Sequence, residues 1–126
     1  MPFNTDEFTK HLRQHAAGHS VHRCARYVRL ALEAGGADTK GYQVPAKTYG
    51  PIMLQNGFHE ITVEAPETFL FLKGDVVVIQ NYPGGDDNGH IAAFDGNNWI
   101  SDFVQHGFWP GTGYAKARPS YAVFRP

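Results

Sequence analysis

The sequence predicts an α+β fold in which N-terminal helices pack on an antiparallel β-sheet. Three observations carry this. Helical periodicity is concentrated near the start of the chain. Short β-rich runs, broken by Gly, Pro, Asn and Asp, fill it from residue 59 onward. The two kinds of segment do not alternate as they would around a parallel sheet. A length of 126 residues suits one domain spanning 1–126. With 42% hydrophobic and 18% charged residues, a packed core is expected and disorder is not.

Taken in order, residues 5–17 read as a first helix, with Asn4 or Thr5 as cap and Phe8, Leu12 and Ala16 at helical spacing. A second helix is expected from Val21, capped by Ser20. Its apolar positions Val21, Cys24, Ala25, Val28, Ala31 and Leu32 trace one face, and Gly35-Gly36 ends it. Residues 38–51 read as loop, with a short helix near 51–56. Strands are expected at His59–Val63, Thr68–Leu72, Asp75–Gln80, Gly89–Phe94, Asn98–Phe103 and Tyr121–Phe124. Two long loops, 81–89 and 104–119, complete the chain; the second is rich in Gly and aromatics.

The net charge of −1 gives no long-range attraction to nucleic acid or an anionic membrane, and neither is expected as a partner. No window reaches the ~20 apolar residues of a membrane span. The N-terminal residues lack the apolar stretch of a secretory signal, so synthesis as a soluble chain in the cytoplasm is expected. Action outside the cytoplasm would then need another delivery route. One cysteine permits no intrachain disulfide and leaves the thiol free to react.

That cysteine is the first candidate for chemistry. Cys24 falls near a helix start, where the dipole stabilises a thiolate, the nucleophilic form. His90 opens a strand of small apolar residues directly after a Gly-rich loop, a position from which an imidazole reaches a cleft. Asp102 enters by geometry. If Asp95-Gly96-Asn97 forms a hairpin loop, Ala92 faces Ile100 and His90 faces Asp102, with Cβ atoms roughly 4.5–5.5 Å apart. Cys24, His90 and Asp102 then make a nucleophile, a base and the carboxylate that orients it. Each also has an ordinary structural reading: a core thiol, a strand-end histidine and a solvent-facing strand carboxylate.

His11, His15, His19 and His22 recur at helix-like spacing, but Gly18 and Ser20 interrupt the helix between them, and no metal site and no cofactor are expected. His19 and His22 are placed at the rim of the cleft. Tyr82, Phe108, Trp109 and Tyr114 stand in the two long loops, either as substrate walls or as anchors packed on the core. His19, Tyr82, His106 and Trp109 are the residues assigned to substrate.

The blocks Ser20-Val-His-Arg-Cys-Ala-Arg-Tyr-Val-Arg-Leu-Ala-Leu-Glu-Ala-Gly-Gly, Lys73-Gly-Asp-Val-Val-Val, Gly89-His-Ile-Ala-Ala-Phe and Trp99-Ile-Ser-Asp-Phe stand in the order seen in one group. Together they resemble the CHAP and NlpC-like amidases of the papain-like superfamily, over residues 20–105. Among these, the chain looks most like the small amidase effectors of type VI secretion, with phage lysins as the neighbouring alternative. The resemblance implies a papain-like α+β fold with Cys24 as nucleophile, His90 as base and Asp102 as the polar third residue. Gly74-Asp75 is implied to be a structural turn. The implied reaction is hydrolysis of an amide bond in the peptide of bacterial peptidoglycan, in the periplasm or wall of a target cell. An immunity protein is the implied partner in the producer. Arg23 departs from the Gln or Asp that many members place before the nucleophile. A protein-directed cysteine hydrolase or acyltransferase on the same fold, and a non-catalytic wall-binding module, are the other functional readings.

Overall fold

The computed structural model describes residues 2–41 and 43–126; Tyr42, which falls in the expected 38–51 loop, and Met1 lie outside the described residues. The first helix, α1 (Thr5–His15), starts where the Asn4 side chain accepts the Glu7 N–H at 3.0 Å. Asp6 and Glu7 occupy its first turn and Arg13 and His15 its last, the arrangement that the helix dipole favours. Phe8 and Leu12, four residues apart, are both fully buried. The second helix, α2 (Cys24–Ala34), buries Val28, Ala31 and Leu32 and stops at Gly35, whose N–H bonds to Ala31 O at 3.1 Å.

The segment that follows holds a 3-10 turn at Ala46–Thr48 and the short α3 (Gly50–Gln55). The strands are β1 (His59–Ile61), β2 (Val76–Ile79), β3 (His90–Phe94), β4 (Trp99–Ile100) and β5 (Tyr121–Arg125), and α4 (Thr112–Ala117) lies between the last two. They form one five-stranded sheet in the order β1-β5-β2-β3-β4, with every pair antiparallel. The expected α+β architecture, helices packed on an antiparallel sheet, is what the chain adopts.

Alternation along the strands gives the sheet two apolar faces. Val76, Val78, Ile91 and Ala93 pack against Phe8, Leu12, Val28 and Leu32. Val77, Ile79, Ala92 and Val123 lie on the other side, with Val63, Trp99 and Phe108. Asp75, fully buried at the foot of β2, takes two hydrogen bonds from the Arg125 guanidinium at 2.8 and 2.9 Å. It also accepts the Leu72 N–H at 2.8 Å, which makes the Gly74-Asp75 turn a structural element.

Three expectations are corrected. The segment 68–72 is not a strand. Its alternate aromatics turn onto the sheet face instead, with Phe71 stacked on Phe108 at 5.7 Å and edge-on to Trp99 at 4.8 Å, while Leu70 and Leu72 remain exposed. The 104–119 loop contains α4. The second helix begins at Cys24 rather than Val21, because His22 takes a left-handed backbone, φ +58°, that no helix accommodates.

Candidate active site

The late start of α2 places Cys24 at its first turn, where backbone N–H groups lack helical partners. The helix has no side-chain cap of its own; Ser20 Oγ reaches only the His22 N–H, at 3.4 Å. The cap comes from far away in sequence. Asp102 Oδ2 accepts the N–H of Val21 at 2.8 Å and of Arg23 at 3.1 Å. Cys24 is half-buried and packs against the core cluster that includes Val28 and Ile91. The Cys24 N–H has no intramolecular acceptor among the described residues.

His90 reaches its position through Gly89, whose φ of +71° turns the chain from the 81–89 loop into β3. A Cβ at Gly89 would lie 2.4 Å from Ile79 O, so glycine is required there twice over, by conformation and by space. The His90 ring is buried, with Nε2 2.8 Å from Gln105 Oε1. Gln105 Nε2 donates to the carbonyls of Gly107 and Phe108 at 3.0 and 3.3 Å. That fixes which end of the amide faces His90: the oxygen accepts from Nε2–H, and Nδ1 is left as the acceptor of the neutral ring.

The expected hairpin register is corrected by one residue: Ala93 pairs with Ile100 and Phe94 with Trp99. The cause is a four-residue turn. Asp95 Oδ1 accepts the N–H groups of Asn97 and Asn98 at 3.0 and 2.9 Å, and Asp95 N–H bonds to Asn98 O at 3.1 Å. A slip of one residue moves every later side chain to the other face. Asp102 is therefore not opposite His90. Its carboxylate serves the start of α2 and Ser101 Oγ, and among the described residues no hydrogen bond joins it to His90. Gln105 occupies the place expected of Asp102.

Cys24 and His90 line one cleft of about 590 Å³, whose walls also include Arg23, Arg26, Tyr49, Tyr82, Asp86 and Tyr114. Burial pushes the Cys24 thiol up to about 11; the Ile91 and Ala25 N–H groups oppose the shift, and the Asp102 and Asp86 carboxylates add to it. Burial also holds His90 below the ordinary imidazole value, against the Gln105 bond and the same two carboxylates. Both shifts favour the neutral forms, of the thiol and of the imidazole, in the cleft that the two residues share.

Of the residues assigned to substrate, Tyr82 lines the cleft. It stands edge-on to Tyr114 at 4.9 Å, and Tyr114 lies 5.8 Å from the His90 ring. Trp109 packs edge-on to Phe108 and Tyr121 and donates to Glu67 at 3.2 Å, away from the cleft walls. His19 and His106 are exposed and do not line it. In the histidine row, α1 stops at His15 and the His11 and His15 rings stack at 4.0 Å. Among the described residues no group of three His, Cys, Asp or Glu is placed to hold a metal ion. Gln105 was not singled out from the sequence, where it stands in no pattern that marks it; Asp86 was weighed only as part of a loose calcium-loop resemblance in Asp86-Asp87-Asn88, which lacks the ligand spacing and the terminal Glu.

Fold and site together define a thiol–imidazole cleft built between a helix start and a strand start on an α+β scaffold. No family model and no curated protein matches the chain. Two solved structures do. The native type VI effector–immunity complex Tae3–Tai3 from Ralstonia pickettii superposes with a TM-score of 0.85 at 42% identity, over 98% of this chain and 98% of that one. Its selenomethionine form gives 0.81 at 44% identity, over 94% and 98%. The chain belongs to the Tae3 family of type VI effectors.

Proposed function

We propose that this chain is a peptidoglycan amidase that works by cysteine catalysis, one domain over residues 1–126, in the wider CHAP/NlpC-like, papain-like group. It is carried by type VI secretion to the periplasm of a rival bacterium and held in check in the producer by an immunity protein. The observation that carries the catalytic reading is the single cleft that Cys24 and His90 line together, with the His90 tautomer set by Gln105.

In the reaction, His90 Nδ1 takes the Sγ proton as sulfur attacks the carbonyl carbon of a wall-peptide amide. The N–H of Cys24, at the positive end of α2, donates to the developing oxyanion. The tetrahedral intermediate collapses, the C–N bond breaks, and the imidazolium returns its proton to the leaving amine. Water then attacks the thioester with His90 as base; the acid is released and the thiol restored. Because burial favours the neutral form of both groups, proton transfer accompanies attack rather than preceding it. Tyr82 and Tyr114 form the apolar wall along which the peptide lies.

Purified sacculi incubated with wild type and with Cys24→Ala, followed by chromatography and mass spectrometry, test this. Soluble fragments from wild type alone are expected, and their masses name the bond cut. Sacculi of several wall chemistries left intact by a folded, reduced wild type would sink the proposal. Co-purification of a tight complex with the product of a neighbouring gene, abolishing fragment release, is the expected sign of the immunity partner.

A further inference from the structure

We propose that Asp102 is a positioning residue for Cys24: one of its carboxylate oxygens fixes the Ser20–Arg23 turn from which α2 starts, and so fixes the thiol. The inference rests on the reading of Cys24 as nucleophile, but assigns Asp102 a task apart from the imidazole.

The turn needs an external hold. Arg23, the residue before α2, has no side-chain cap, and His22 adopts the left-handed conformation that a non-glycine residue keeps only when its surroundings enforce it. Asp102 supplies the enforcement. Its Oδ2 binds the N–H on each side of His22, at 2.8 Å to Val21 and 3.1 Å to Arg23. Its backbone carbonyl accepts the Ala17 N–H at 2.7 Å, and Phe103 bridges Ala17 in parallel. Residues 17–23 are thus tied at both ends to residues 102–103. Asp102 as a whole is 1% exposed, and its second carboxylate oxygen takes the Ser101 hydroxyl at 3.2 Å. With Gln105 already bonded to His90, the bonds of Asp102 all serve this turn and its own strand end.

The charge has a second effect. A carboxylate at a helix start is favoured by the dipole, but it opposes a second anion beside it. The other titratable and charged groups lining the cleft with the thiol are Asp86 and Tyr82 on the 81–89 loop, His90 on β3, Tyr114 on α4, Tyr49 before α3, His22 and Arg23 in the turn, and Arg26 and Arg29 on α2 itself. Asp102 and Asp86 both work against the Cys24 thiolate.

Two variants separate the roles. Asp102→Asn keeps a carbonyl oxygen for the two N–H bonds and drops the charge; Asp102→Ala removes both. As the protein has a single cysteine, iodoacetamide alkylation against pH, read by mass spectrometry, reports the thiol without any wall substrate. In Asp102→Asn the alkylation midpoint should fall by about half a pH unit or more. Fragment release from sacculi should drop about a hundredfold in Asp102→Ala, and Asp102→Asn should recover at least about tenfold of that loss. Equal loss in both variants, with the midpoint unmoved, would overturn the proposal in favour of a role through His90 or in the fold alone. A shifted midpoint in a protein that releases no fragments from any wall would leave the positioning role standing and remove the hydrolase.

Discussion

At the scale of single residues, the proposed site is organised by one hydrogen bond that the sequence does not advertise. Gln105 holds His90 by its carbonyl oxygen because its amide nitrogen is committed to two backbone carbonyls. Gln105→Ala frees the ring to rotate and to change tautomer while Cys24 stays in place. Turnover on sacculi should fall about a hundredfold, the usual loss from a misplaced catalytic group, with alkylation of Cys24 still proceeding. Wild-type turnover in that variant would remove Gln105 from the machinery. Gln105→Glu places a carboxylate against Nε2 and favours the imidazolium. Burial holds His90 below its ordinary value of 6.5, so the wild-type acid limb of the pH–rate profile should lie below that value, and in Gln105→Glu it should move to higher pH. An unmoved limb in both proteins would mean that His90 is not the base.

At the scale of elements, the parts legible in the sequence are those whose physics is local. α1 was readable from Asn4, Phe8 and Leu12, and β2 and β3 from unbroken apolar runs. The parts that were not legible depend on distant partners. The start of α2 is set by Asp102, 79 to 81 residues beyond the N–H groups it holds, and not by Ser20 nearby. The reach of Asp95 across its turn, one residue longer than the composition suggests, moved Asp102 away from His90. The same distinction explains residues 68–72, whose period of two is real but spent on face packing. Cys24 and His90, both marked by local context, could be read as candidates; Gln105 could not. Gly89, the joint between the 81–89 loop and β3, was legible as loop end and strand start but not as a position that demands a positive φ. Gly89→Ala puts a methyl against Ile79 O and a positive φ on an L residue. About 1–3 kcal/mol of destabilisation by urea titration is expected, with a loss of activity larger than the unfolded fraction explains, because β3 begins at the next residue. A variant with wild-type stability would mean that the 81–89 loop yields freely and does not position His90.

At the scale of the whole molecule, the same burial that favours the neutral form of His90 makes the fold sensitive to acid. His11 and His90 are both lowered from 6.5, His11 by burial and by the neighbouring His15, and His11 Nδ1 is buried without a hydrogen-bond partner. Between 6.5 and their lower folded values, the unfolded chain binds more protons than the folded one. Stability from these groups is therefore complete above 6.5 and is lost as pH falls below it. The lowered carboxylates Asp6, Asp38, Asp95 and Glu67 act in the same direction, but their ordinary values are 3.8 and 4.5. They contribute their loss in a more acid window, so a comparison of pH 7.5 with pH 5 isolates the imidazoles. Urea midpoints should fall over that interval, and fall less in His11→Gln, which cannot titrate. Equal slopes in wild type and His11→Gln would place the whole effect on His90; a flat wild-type profile would mean that neither ring is buried in its neutral form. The second outcome would also weaken the catalytic argument, since a His90 that protonates freely in the fold would not remain a base as the pH falls toward 6.5. One equilibrium thus links the acid limb of catalysis to the acid limb of stability, and the two experiments must return the same ordering of His90 below 6.5.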